Sequence, residues 1–303
     1  NVDSRPAEWQ RADSRRAVSH HELERPEVLE RLQNAFGGGF PNFEPDGLLF
    51  LYPVRGIRRK NVLEAGFLTK LFNARDDGRA GDLRANLVVS LPGVSPLEKP
   101  YWDLVSAAYS DGTIPGMAGI GTRLEQSGLT FDDLMQSADL ILSTSVQEGF
   151  GYAFFEAPMR GRPLLARYLD VLDGLDHFFD TPACSFYTEL RVPFESPSID
   201  SIRSILRIRY DEQLEHAAQH LPDSARKRLE AEIDDLLSGP TIDFSFLMPQ
   251  IQYSYIKDLA DEAFAADIRA LNLDVYGSMS RLVEEQAEAH GGGAAHGDAG
   301  SSG

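Results

Sequence analysis

The stretch SVQEGFGYAFFEAP, residues 145–158, places Glu148 and Glu156 on either side of Gly149, Phe150 and Gly151, directly after an apolar run. An ionised carboxylate only accepts hydrogen bonds, so this pair suits a ligand that offers hydroxyl donors, as sugars do. The two glycines let the backbone approach a ligand and turn into the following helix. The first N–H groups of that helix then favour a phosphate or sugar oxygen. A glutamate early in a helix also serves simply as a partner of the helix dipole. Glu156 taken alone reads that way; its companions reverse the reading.

The second group is basic. VRGIRRKN holds Arg55, Arg58, Arg59 and Lys60 close together at the end of another apolar run. The chain carries 29 basic against 47 acidic residues, a formal net charge of -18. A basic cluster against that background points to an anion site, with Arg offering a planar fork to phosphate oxygens and Lys a compact charge. The plainer reading is a solvated turn, and Arg58 and Arg59 fit it. The acidic balance itself argues against partners such as nucleic acid or anionic lipid.

The elements that must position these groups are legible from the apolar pattern. LLFLYP (48–53), NLVVSLPG (86–93), DLILSTS (139–145) and RPLLARYLD (162–170) are short continuous apolar runs, as buried parallel strands require. GTIPGMAGIG (112–121) has room for one more short strand. Helical patterns fall between them, in NVLEAGFLTKLFNA, PYWDLVSAAYSD, LTFDDLMQSA and GYAFFEAPMRG. This alternation predicts an α/β fold, a Rossmann-like parallel sheet with helices on both faces, over residues 48–190. Residues 1–47 read as a lead-in helix, RPEVLERLQNAF, and a glycine- and proline-punctuated linker. Residues 191–285 read as an α-helical C-terminal extension of three amphipathic helices, and 286–303 as a low-complexity, disordered tail. Ligands of such sheets bind beyond the carboxyl ends of the strands, where both groups lie.

EGFGYAFFEA resembles the paired-glutamate motif of retaining GT-B glycosyltransferases, in particular glycosyltransferase family 4. ADLILSTSVQEGFGYAFFEAPMRGRPLLAR is similar to that family's core throughout. Arg55 and Lys60 stand at the spacing of the family's arginine and lysine in the loop that holds the donor diphosphate. Val54 and Asn61 depart from it, each replacing a glycine. The resemblance spans residues 48–190. It implies that Arg55 and Lys60 neutralise the leaving nucleoside diphosphate and that Glu148 takes hydroxyls of the donor sugar. The backbone of Gly149, Phe150 and Gly151 would line sugar and phosphate, and Glu156 would bind the ribose. No metal and no cofactor is implied beyond a UDP-, GDP- or ADP-linked sugar as donor, transferred with retention.

The same resemblance implies two Rossmann-like halves, of which residues 48–190 match the second. NVDSRP looks like the crossing from the first, so an N-terminal acceptor domain in the same or another chain is an expected partner. The C-terminal helices would pack on that domain, dock back on this one or mediate assembly. Two alternatives stand beside the transferase: a sugar-nucleotide epimerase of GT-B architecture, and a non-catalytic nucleotide-sugar-binding or interaction module.

Other residues fall outside this constellation. His20 and His21 adjoin, and His216 and His220 have a chelating spacing without an evident third ligand. His290 and His296 belong to the tail. His177 follows the fourth strand, within possible reach of the sugar; Tyr101 and Trp102 open a helix, as packing residues often do. Cys184 is the sole cysteine, which excludes an intrachain disulfide and a cysteine-rich zinc site. No run of roughly 18 apolar residues spans a membrane, the polar N-terminal stretch carries no signal-peptide core, and a cytoplasmic location is expected.

Overall fold

The computed structural model describes residues 23–74, 83–149 and 152–291. Helix α1 (Arg25–Phe36), started by a proline in its first turn, precedes strand β1 (Leu48–Arg55). Along β1, Leu48, Phe50, Tyr52 and Val54 enter one apolar core while Leu49 and Leu51 enter the other. Successive strand residues point to opposite faces, so a strand covered on both sides must be apolar throughout.

The chain then alternates: α2 (Val62–Asn73), β2 (Ala85–Leu91), α3 (Lys99–Ser110), β3 (Gly116–Ala118), α4 (Phe131–Ser137), β4 (Leu140–Ser143), α5 (Tyr152–Met159), β5 (Leu164–Arg167) and β6 (Cys184–Tyr187). Thr130 and Asp133 close a reciprocal capping box that starts α4. The six strands form one sheet in the order β3-β2-β1-β4-β5-β6, with every neighbouring pair parallel. That is the Rossmann-like α/β fold the alternation predicts. The strand order reverses between β1 and β4, which pair at Phe50–Leu140 and Leu51–Ile141. Residues of α1, α4 and α5 cover one face, and residues of α2, α3 and the C-terminal helices cover the other.

The C-terminal part comprises β7 (Arg191–Pro193), α6 (Ile202–Ala218), α7 (Asp223–Ser238), β8 (Thr241–Asp243), α8 (Pro249–Asp258), α9 (Glu262–Leu271) and α10 (Leu273–Gly291). The structure differs from the sequence reading in four respects. The sixth sheet strand and the antiparallel β7–β8 ladder were not anticipated. The helix expected over PQIQYSYIKDLADEAFAADIRALN is two, because the Asp261 side chain accepts from the Phe264 amide at 2.9 Å and starts a new helix. Helix α10 runs on to Gly291, so residues 286–291 are helical and do not begin a disordered tail.

Of the three placements expected for the C-terminal helices, the extension takes the one that docks back on the sheet. One apolar cluster runs unbroken from Leu48 to Val283, with the rings of Phe67 and Phe244 4.5 Å apart between centroids. NVDSRP lies outside the described residues.

Asn272, buried between α9 and α10, ties the extension together. Its Oδ1 accepts from the Arg191 amide at 2.7 Å, and its Nδ2 donates to the carbonyls of Arg191 and Ile268, both at 2.8 Å. Asn272→Ala leaves the Arg191 backbone groups unpaired. It is expected to cost about 2 kcal/mol in a urea unfolding titration.

Candidate functional site

Because β1 and β4 are adjacent, the loops that leave their carboxyl ends lie side by side at the point where the strand order reverses. This is the crevice in which open α/β sheets bind ligands. The loops are stitched together by their backbones and by buried hydroxyls. The Val146 amide donates to the Arg59 carbonyl at 2.9 Å. The Thr144 hydroxyl donates to the carbonyls of Lys60 and Asn61, at 3.3 and 3.0 Å. The Tyr52 hydroxyl donates to the Lys60 carbonyl at 2.7 Å. Burial raises the Tyr52 hydroxyl well above its usual range, so it keeps its proton and remains a donor.

Within this frame Lys60 and Glu148 form an ion pair, Nζ to Oε1, with the side chains 13% and 8% exposed. Ser145 donates to the same carboxylate oxygen at 2.6 Å and stands 2.9 Å from the Tyr52 hydroxyl. Arg59 NH1 reaches the other oxygen, Oε2, at 3.5 Å and donates to the Gln147 carbonyl at 3.1 Å. A Cβ built on Gly149 would meet no atom within 4 Å, so the space beside Glu148 is open. The arrangement offers two cations to an anion and a fixed carboxylate to hydroxyl donors.

Not every expected group joins it. Arg55 ends β1 half-exposed and pairs with Glu98 at 3.7 Å. The Ser95 and Val94 amides hold the Glu98 carboxyl below its usual range, which keeps it an anion facing Arg55. Glu156 is exposed on α5 and makes no hydrogen bond or ion pair with the described residues. Phe150 and Gly151 lie outside the described residues.

Arg58 is neither an anion ligand nor a solvated turn residue. Its guanidinium donates to the carbonyls of Ser245 and Leu247, both at 3.1 Å, and to Asn61 Oδ1 at 3.2 Å. It therefore bonds the basic loop to the C-terminal part. The sequence passed over Tyr52, Thr144 and Ser145, because hydroxyls at the ends of buried strands read as part of the apolar pattern.

Asn61 turns the chain from the basic loop into α2. Its φ is 49°, in the left-handed region that asparagine tolerates better than most residues. Its side chain donates to Glu64 Oε2 at 2.6 Å and accepts from Gln252 at 3.1 Å.

Behind it lies a buried charge network. Glu64 accepts from Arg167 NH2 at 2.7 and 2.8 Å and from Nε at 3.1 Å, and from the Tyr187 hydroxyl at 2.7 Å. Arg167 also donates to Asp243, at 2.8 and 3.0 Å, and to the Thr188 carbonyl at 2.8 Å. Burial raises the Glu64 carboxyl against the pull of Arg167. With four donating groups around it, this acceptor-only group is the ionised partner of Arg167. The network joins α2, β5, β6 and β8 immediately beneath the Lys60 loop.

The remaining candidates lie elsewhere. His177 lines a separate cavity of about 310 Å³ with Tyr168, Phe179 and Phe186. Trp102 packs against the glycines of three loops, since a Cβ on Gly56, Gly93 or Gly119 would come within 3.1 Å of it. Tyr101 is buried, its hydroxyl accepting from the Leu63 amide at 3.2 Å. Burial pushes the Cys184 thiol up to about 11, as suits a residue used for packing. His216 and His220 are exposed, and no cluster of three metal-ligating side chains occurs among the described residues. His20, His21 and His296 lie outside the described residues. No described helix is long and apolar enough to cross a membrane.

No protein-family model matches the chain. It is similar to a mannosylglucosyl-3-phosphoglycerate synthase of Petrotoga mobilis, 26% identical over 262 residues, which covers 86% of this chain and 46% of that relative. The chain thus spans about half the length of the curated relative it matches. Among solved structures, the N-terminal domain of Candida albicans trehalose-6-phosphate phosphatase aligns with 80% of this chain and 46% of that one, at 16% identity and a TM-score of 0.36. TarM aligns with 76% of this chain and 35% of its own, at 12% identity and a TM-score of 0.34.

Proposed function

We propose that this chain is the donor-binding part of a retaining glycosyltransferase of GT-B architecture, similar to family 4. It would transfer a sugar from a nucleoside diphosphate to an acceptor held by another domain. The observation that carries the reading is the meeting of Lys60 and Glu148 across the crevice between β1 and β4. A relative named as a synthase of a mannosylglucosyl compound supports sugar transfer as the chemistry.

Lys60 neutralises the diphosphate as it leaves, joined by Arg55 once that side chain exchanges Glu98 for phosphate oxygens. Glu148 accepts from hydroxyls of the donor sugar, with the backbone of Gly149, Phe150 and Gly151 alongside, and Glu156 accepts from the ribose. Cationic side chains and a helix N-terminus then supply the charge stabilisation a leaving diphosphate needs, without a metal ion. The departing phosphate takes the acceptor proton, so Glu148 positions the sugar and forms no bond to it.

The test is a thermal-shift screen across UDP-, GDP- and ADP-sugars. A ligand at about 100 times its Kd stabilises the folded state by about 2.7 kcal/mol. For a chain of this size that raises the midpoint by roughly 4 °C. One base is expected to stand out. If none of the three classes moves the midpoint at millimolar concentration, the donor-site reading is wrong.

A further inference from the structure

Among the described residues the carboxylate of Glu148 has three partners: Lys60 Nζ, Arg59 NH1 at 3.5 Å and Ser145 Oγ at 2.6 Å. Two of the three are cations of the loop that follows β1. A phosphate oxygen makes the same demand on them as a carboxylate oxygen, and with greater charge. We infer that Glu148 competes with the diphosphate for Lys60 and Arg59, and that Arg59 is a further cation of the anion site. This rests on the donor-binding reading above.

The assignment of Arg59 follows from what its neighbours do. Arg58 is committed to the Ser245 and Leu247 carbonyls and to Asn61. Arg55 is turned to Glu98. Arg59 is about half exposed and uses only NH1 among the described residues, on Gln147 and Glu148. A guanidinium carries five N–H donors, so most of the fork remains available to an anion.

The competition has a consequence for turnover. A nucleoside diphosphate that takes Lys60 and Arg59 leaves Glu148, among its described partners, with Ser145 and a partly desolvated charge. A donor sugar repays that loss, because its hydroxyls donate to the vacated carboxylate oxygens. The product diphosphate has no such hydroxyls to offer. Glu148 therefore favours the intact donor over the spent one and helps to expel the product by re-forming its pair with Lys60.

The test is calorimetric titration of the full chain with UDP, GDP, ADP and inorganic pyrophosphate, each variant being checked for an intact unfolding transition. Glu148→Gln keeps the shape and the Ser145 bond while removing the charge; it is expected to bind the nucleoside diphosphate about fivefold tighter than the parent. Glu148→Ala should change affinity in the same direction. Arg59→Ala is expected to bind about fivefold more weakly. In a background carrying both Lys60→Ala and Arg59→Ala the gain from Glu148→Gln should fall below about twofold, since both partners it would release are gone.

If the parent binds a diphosphate and Glu148→Gln binds it equally or less tightly, the competition is refuted while the donor site stands. If Arg59→Ala binds like the parent, the role of Arg59 is refuted. Absence of binding by the parent and all variants overturns this inference together with the proposed function.

Discussion

Arg167→Ala is expected to lower the thermal midpoint by roughly 5–8 °C, from a cost of about 3–5 kcal/mol for breaking a buried charge network. Glu64 has no exposed surface, and the side chains of Arg167 and Asp243 are 6% and 9% exposed. Removing the guanidinium strands two carboxylates in the interior with only neutral donors, Tyr187, Asn61 and the Ser245 amide, to hold them. Removing charge from both sides should hurt less. Arg167→Met combined with Glu64→Gln is expected to recover part of the loss, because Asp243 alone retains a buried charge. A double-mutant cycle followed by differential scanning calorimetry checks this. Arg167→Met and Glu64→Gln acting additively would show that the two residues are not coupled.

The second large effect is on binding. Lys60→Ala should weaken the nucleotide sugar that stands out in the thermal screen by about 10- to 100-fold, the equivalent of one or two charge-assisted hydrogen bonds. The fold should scarcely notice. Tyr52 and Thr144 hold the carbonyl of Lys60, which the substitution keeps, and Glu148 retains Ser145 and Arg59. The expected signature is a large change in Kd with a midpoint within a few degrees of the parent. Lys60→Arg should restore only part of the affinity, since a planar fork does not sit where a compact ammonium does. Equal affinities for parent and Lys60→Ala would remove Lys60 from the anion site.

The two effects are linked through Asn61. Its left-handed backbone sets the turn from the basic loop into α2, and its side chain is tied to Glu64 in the buried network. The network thus supports the loop from below while Tyr52 and Thr144 hold it from the side. A variant that loosens the network is expected to disturb Lys60 without touching it.

Much of the fold was already legible. A parallel strand covered on both faces must be apolar at every position, so LLFLYP, LVVSL and DLILS stand out from any solvent-facing segment. The pairing of a basic loop with a carboxylate loop was legible too, because both sit just past such runs. What escaped was short or context-dependent. The three-residue strands β7 and β8 carry too few side chains for a period to show. The helix break at Asp261 depends on one side-chain cap, without a glycine or proline to mark it. Among the basic residues, composition could not tell Arg58, Arg59 and Arg55 apart.

The sequence by itself determined the alternation of strand and helix, and with it the sheet and the edge at which open α/β sheets bind ligands. It also placed a cation cluster and Glu148 just past two of those strands. Only the tertiary structure decided which of them meet. Lys60, Arg59 and Glu148 converge because β1 and β4 are neighbours, and strand order is a long-range property that no local pattern encodes. Arg55 and Arg58 are drawn instead to Glu98 and to the carbonyls of the C-terminal part, each guanidinium going to the acceptors that the packed chain places within its reach.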